Sequence, residues 1–294
     1  MYCSDLLASA SQCTLYNDDC RNLLPKLDDS SVHLVLTDPP YFLDGLDSGW
    51  RNGHINAPRA TGCVGGLPVG MKFDKMQGKK LQKFLEPVAA ELLRILKPGG
   101  FLLMFAAPRL YHRAAVAVED AGFEIRDAFA WHFTKRAQFK AFKMDHFVHR
   151  RNDINEHKKK EIINILNDRM TPQLRPQFEA ILCAQKPRDG TFIENWLAHR
   201  TGLIDGTQKL NGRVPETVMK FEKQAKDRFN NHLTPKPMQL CAHLIQIFSM
   251  PEQTVLDPFV GSGTTCLAAN YTNRKSIGID MNPDYIEITR SRLG

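Results

Sequence analysis

The 294-residue chain contains no apolar run of membrane-spanning length, so no segment reads as a transmembrane helix. Its opening residues, Met1-Tyr2-Cys3-Ser4-Asp5, lack the basic start and long apolar core of a secretory leader. The seven cysteines (Cys3, Cys13, Cys20, Cys63, Cys183, Cys241 and Cys266) are scattered, and no Cys-x-x-C occurs. An odd number at such spacing indicates neither a disulfide framework nor a zinc site. Reduced thiols and a cytoplasmic location are expected. No cysteine follows a proline, which removes the thiol nucleophile expected for chemistry at carbon 5 of cytosine. Internal repeats and low-complexity tracts are also missing.

The chain is long enough for one large domain, or for a catalytic domain with a smaller insertion. Its net charge of +7 is unevenly placed: Trp131 to Lys236 holds 21 Lys and Arg against 12 Asp and Glu, and the remainder 18 against 20. The basic character therefore belongs to the middle. It is either a lysine-rich solvated surface or a polyanion-binding segment on a near-neutral body.

One stretch organises the rest, Val32-His33-Leu34-Val35-Leu36-Thr37-Asp38-Pro39-Pro40-Tyr41. The apolar run has the length and branching of a buried strand. Two prolines have no N–H to donate, so the chain leaves the sheet at Asp38. A carboxylate, free proline carbonyls and an aromatic ring then stand at the carboxyl end of a strand, where open α/β sheets bind ligands. These groups suit transfer to an exocyclic amine of a base. Asp38 and the Pro39 carbonyl would accept its two N–H hydrogens, and Tyr41 would stack on the base once it left the duplex. On these four residues alone, a Pro-Pro turn with a solvated acid fits as well.

Around this stretch a βαβ rhythm recurs, which predicts a mostly parallel sheet. Strands are expected at 14–17, 32–37, 101–106, 123–133, 178–185, 254–257 and 276–280. Helices are expected at 79–96, 111–121, 238–248 and 283–293, with Asn282 as a cap and Pro283 at the first position. Pro87 should kink or divide the helix at 79–96, and Lys97-Pro98-Gly99-Gly100 should stop it. Asp44 to Gly78 carries eight glycines and reads as a mobile loop. Residues 135–175 are basic with interleaved Phe139, Phe142 and Phe147 and a short amphipathic helix near Ile162. Residues 188–231 form a second irregular basic stretch with a helix expected from Glu216 to Phe229.

A second motif, Asp257-Pro258-Phe259-Val260-Gly261-Ser262-Gly263-Thr264-Thr265, lies between a strand and a helix. Its small residues let a ligand approach the backbone N–H groups at the helix start. A phosphate loop needs Gly-Lys-Ser/Thr, and there is no lysine here. A dinucleotide fingerprint needs a third glycine, where Cys266 stands. A nucleoside cofactor without a phosphate chain remains, and S-adenosylmethionine (SAM) fits. Asp280, ending the next strand, would hold the ribose hydroxyls. Only one strand follows this loop, so the upstream strands must complete the sheet and the fold would be circularly permuted. Asp19 would then lie beside Asp280, within reach of the adenine.

Asp38-Pro39-Pro40-Tyr41, Arg94-Ile95-Leu96-Lys97-Pro98-Gly99-Gly100, Thr234-Pro235-Lys236-Pro237 and Asp257 to Gly263, in this order, resemble the β-class amino-methyltransferases of DNA. The resemblance spans roughly 16–136, 178–187 and 232–293, and is weak over the basic segments, where that family places target recognition. It implies a circularly permuted Rossmann-like α/β sheet with inserted basic segments, SAM as cofactor, no metal, DNA as partner and a homodimer as an option, in a restriction–modification setting. It divides the chain into a catalytic half (1–134), a target-recognition region (135–231) interrupted by a core strand, and a SAM-binding half (232–294).

Residue by residue, the resemblance makes Asp38, Pro39, Pro40 and Tyr41 catalytic. It makes Asp19, Asp38, Thr234, Lys236, Asp257, Phe259, Gly261, Ser262, Gly263, Thr264 and Asp280 cofactor-binding; Asp18 competes with Asp19. Family members with Asp in the catalytic motif usually methylate adenine N6, and those with Ser cytosine N4. Adenine is favoured, with cytosine N4, RNA and a protein amide as the alternatives.

Overall fold

The computed structural model describes residues 12–41, 76–135, 141–172, 174–222 and 236–294. Its centre is an eight-stranded sheet of β1 (Cys13–Asn17), β2 (Val32–Thr37), β3 (Leu96–Ala106), β4 (Glu124–His132), β5 (Phe178–Gln185), β6 (Val218–Lys220), β7 (Thr254–Asp257) and β8 (Lys275–Asp280). The spatial order is β1-β8-β7-β2-β3-β5-β4-β6. Every pairing is parallel except those of β5, which runs antiparallel to β3 and β4.

The helices are α1 (Cys20–Leu23), α2 (Gln77–Ile95), α3 (Tyr111–Asp120), α4 (Asp145–His149), α5 (Glu156–Leu166), α6 (Phe192–His199), α7 (Met238–Phe248), α8 (Thr264–Tyr271) and α9 (Pro283–Leu293). The central strands are apolar on both faces, as a covered parallel sheet requires. Val35, Leu102, Met104 and Leu182 join Leu81, Leu85, Val88 and Leu92 of α2 and Ala117 and Val118 of α3. Their neighbours Leu34, Leu36, Leu103, Phe105 and Ile181 point the other way, onto Leu240, Leu244 and Ile247 of α7. Among the described residues no helix is long and apolar enough to cross a membrane.

Several expectations change. Pro87 lies inside α2 without dividing it. Lys97 to Gly100 do not separate helix from strand, because β3 already begins at Leu96. Over 216–222 the expected helix is replaced by β6, whose Val218 and Met219 pair with Ala130 and Trp131 at the sheet edge; the rest of that expected helix lies outside the described residues. The second basic stretch is not wholly irregular. It holds α6, started by a capping box in which Thr191 and Glu194 each bond the other's backbone N–H, a Thr-x-x-Glu signal present in the sequence. The glycine-rich loop lies outside the described residues except for its last residues, which open α2.

Candidate active site

The acids of both motifs meet on one edge of the sheet. β2 ends at Thr37, so Asp38 is the first residue beyond it, while β7 ends at Asp257 and β8 at Asp280. Because β5 runs the other way, its first residues come to the same edge, with Ala180 opposite Ala106 at the end of β3. That brings in Glu179.

Both oxygens of Asp38 accept protein donors. Oδ1 takes the Tyr41 hydroxyl at 2.6 Å, and Oδ2 takes the Lys236 ammonium at 2.5 Å. The same Nζ stands 3.3 Å from Glu179 Oε2 and 5.1 Å from the centre of the Phe105 ring. Lys236 is only 8% exposed. Burial works against its charge, but the Asp38 and Glu179 carboxylates outweigh that and hold it above the usual lysine range. Burial, followed by the charges of Asp38 and Glu179, pushes the Tyr41 phenol well up, so it is a neutral donor. Gln77 at the start of α2 donates to the Tyr41 carbonyl at 2.6 Å and accepts from Arg109 at 3.0 Å. The turn is thus tied down at its far end, and Pro39 is buried.

The glycine loop is built on two buried acids. Asp257, 4% exposed, accepts the Thr37 hydroxyl at 2.7 Å and the Phe259 N–H at 3.1 Å on one oxygen. Burial raises its carboxyl to about 6, against the pull of these bonds. Asp280 accepts the Gly261 N–H on Oδ2 and the Asn282 N–H on Oδ1, each at 2.9 Å, and burial raises it also. Each oxygen keeps a lone pair for one further donor, which suits a pair of neighbouring hydroxyls. Gly261 and Gly263 have φ of +51° and +83°. A Cβ on Gly263 would come 2.5 Å from Thr289 Cγ2, so this glycine serves the packing of α9 against the loop. No side chain caps the start of α8 at Thr264. Ser262 is buried, and its carbonyl accepts from Arg292. Phe259 packs near Phe84, ring centres 5.8 Å apart. The donor set fits a nucleoside: backbone N–H groups, an acid with spare acceptors and an aromatic ring.

Asp18 donates its backbone N–H to the Asp280 carbonyl at 3.2 Å, so the first strand does neighbour the last. The Asp19 carboxylate, however, caps α1 and is bonded by Arg21 at 2.6 Å. Thr234 lies outside the described residues. Thr37, Gln77 and Glu179 were not singled out from sequence. Thr37 directly precedes the motif, while Glu179 becomes visible only once β5 is known to be antiparallel.

The chain matches the model of the N6/N4 DNA methylase family over residues 32–291. It belongs to that family. M.HindIII, a type II methyltransferase of Haemophilus influenzae, is 32% identical to it over 95% of this chain and 94% of its own length. M.HpaI, a type II methyltransferase of Haemophilus parainfluenzae, is 26% identical over 92% of this chain and 70% of its own. In fold, the methylase resembles the cytosine-N4-specific PvuII DNA methyltransferase with a TM-score of 0.66 at 17% identity, covering 97% of this chain and 88% of that one. It also resembles M1.HpyAVI in complex with SAM, with a TM-score of 0.58 at 20% identity, covering 96% and 99%. The α/β fold expected from sequence is the fold of these methyltransferases, and SAM is the cofactor of DNA methylases.

Proposed function

We propose that this DNA methylase transfers a methyl group from SAM to the N6 amino group of adenine in double-stranded DNA. The observation carrying this is the shared edge: the Asp38-Pro39-Pro40-Tyr41 turn and the Asp257–Gly263 loop start from one bond, Thr37 to Asp257, 2.7 Å long. SAM, when bound, supplies a methyl group already activated on a sulfonium. Asp280 holds the ribose hydroxyls, and Phe259, Gly261, Ser262, Gly263 and Thr264 line the nucleoside. Asp19, Thr234 and Lys236 complete this set in the family pattern. The target adenine leaves the duplex and stacks on Tyr41. Asp38 and the Pro39 carbonyl accept its two N–H hydrogens and turn the nitrogen lone pair toward the methyl. With SAM in place the amine nitrogen would gain the methyl, the sulfur would keep the electron pair of the broken S–C bond, and the proton lost by the nitrogen would pass to water. Orientation supplies most of the rate.

Adenine is chosen over cytosine because an aspartate opens the catalytic turn. In this reading 1–134 and 232–294 are the two halves of a circularly permuted methyltransferase domain, and 135–231 recognises the target while lending β5 to the core. A homodimer is the option that the family resemblance carries for its assembly. Asp38→Ala tests the chemistry: SAM binding by calorimetry is retained and turnover is lost. Full turnover in that variant would overturn the assignment.

A further inference from the structure

The Lys236 ammonium is held by two carboxylates from distant parts of the sequence, yet only one belongs to the catalytic turn. It lies 2.5 Å from Asp38 Oδ2 and 3.3 Å from Glu179 Oε2. Aromatic faces close the cage, with Phe105 at 5.1 Å and Tyr41 at 6.0 Å from the ammonium. No catalytic motif includes Glu179, which sits at the start of β5, paired with Trp131 on the neighbouring strand.

We propose that Glu179 is a positioning residue for Asp38, acting through the Lys236 ammonium. The inference rests on the methyl-transfer reading above, in which Asp38 accepts an amine N–H. A carboxylate that must meet a flat amine needs a fixed rotation about its Cβ–Cγ bond. Asp38 has two anchors for this, the Tyr41 hydroxyl on Oδ1 and Lys236 on Oδ2. A lysine on a flexible four-carbon stem makes a poor anchor by itself. Glu179 supplies the second point that fixes the ammonium, and it comes from the sheet rather than a loop. Asp38 then presents its remaining lone pairs in one direction. One buried ammonium between two half-buried carboxylates also keeps a net negative site facing the nitrogen that becomes positive as it is methylated. The arrangement gives Lys236 a role at the amine end of the reaction, apart from its family assignment to the cofactor.

The test is Glu179→Gln, with Glu179→Asp as the conservative variant and two readouts. With DNA as substrate, kcat of Glu179→Gln should fall by up to about 100-fold, as small misplacements of reacting groups do. Its SAM affinity and its KM for DNA should stay within about twofold, and Glu179→Asp should recover part of kcat. Unchanged kcat, or an equal loss in SAM affinity, would overturn the proposal. The second readout needs no turnover: proton–carbon NMR at neutral pH follows the two Cε hydrogens of Lys236, which have different shifts when the ammonium is held in one place. Glu179 stands 3.3 Å from that ammonium, so Glu179→Gln should shift this resonance and reduce the splitting of its two hydrogens. An unchanged Lys236 resonance would overturn the proposal even if the wild-type protein methylated no DNA, whereas a changed resonance in an inactive wild type would sustain the positioning contact and overturn only the substrate.

Discussion

Thr37 donates its hydroxyl to Asp257 at 2.7 Å, across 220 positions of sequence. The bond joins the last residue of β2 to the last residue of β7, so the catalytic turn and the glycine loop leave the sheet from one buried point. The Phe259 amide shares the same carboxylate oxygen. A displacement of either strand would therefore disturb both motifs.

This point carries a pH dependence. Burial raises the Asp257 carboxyl from 3.8 to about 6, so the folded protein holds the proton more tightly than the unfolded chain. The resulting stability is full below about pH 4 and is lost as pH rises through about 6. Asp257→Asn keeps an acceptor and has no such titration. Across that window its stability relative to wild type should rise by on the order of 3 kcal/mol. Urea denaturation of both proteins from about pH 4 to 8 checks this; a difference that stays flat with pH contradicts it.

Lys236 is the counter-charge for two carboxylates. Lys236→Met would leave Asp38 and Glu179 facing each other with no cation between them. A loss of about 1–3 kcal/mol is expected, below that of fully buried pairs because both carboxylates keep some contact with solvent. Denaturant midpoints measure it, and a variant as stable as wild type would contradict the caged geometry.

Gly263 is required by packing. Its φ is +83° and its Cβ would strike Thr289. Gly263→Ala should cost about 1–3 kcal/mol. Thr289→Ala removes the clash but also the hydroxyl bond to the Gly261 carbonyl at 3.0 Å. The double variant should therefore lose less than the sum of the two single variants, as read from thermal unfolding.

The three consecutive lysines at the start of α5 should separate by role. Lys159 is buried and bonds Glu156 at 2.7 Å, so Lys159→Ala should cost stability. Lys160 is exposed. Lys160→Ala should weaken binding to all DNA sequences alike and reduce the slope of log affinity against log salt by about 1. Fluorescence anisotropy over a salt series measures both, and an unchanged slope would remove this lysine from the DNA contact.

Much of the fold was legible because the central strands carry unbroken apolar runs and the helices beside them keep regular spacing. α9 was read to the residue, since Asn282 and Pro283 fix its start. What was missed depended on partners far away in sequence. Val218 and Met219 become a strand only because β4 offers them an edge. The helix at 79–96 outlasts Pro87 because its apolar face, Leu81 to Ile95, is buried against the sheet. The candidate site was read in its two motifs, and the bond between them was not, since Thr37 looks like any strand end. Glu179 was hidden for the same reason: its place on the catalytic edge follows from strand direction, which local spacing does not encode.

The central claim is the identity of the product. Purified protein would be incubated with unmethylated genomic DNA and SAM, the DNA digested to nucleosides, and the products identified by mass spectrometry. N6-methyladenine is the predicted result. N4-methylcytosine in its place would keep the family and the catalytic turn but contradict the base assignment. No methylated nucleoside from a protein that binds SAM would contradict DNA as the substrate.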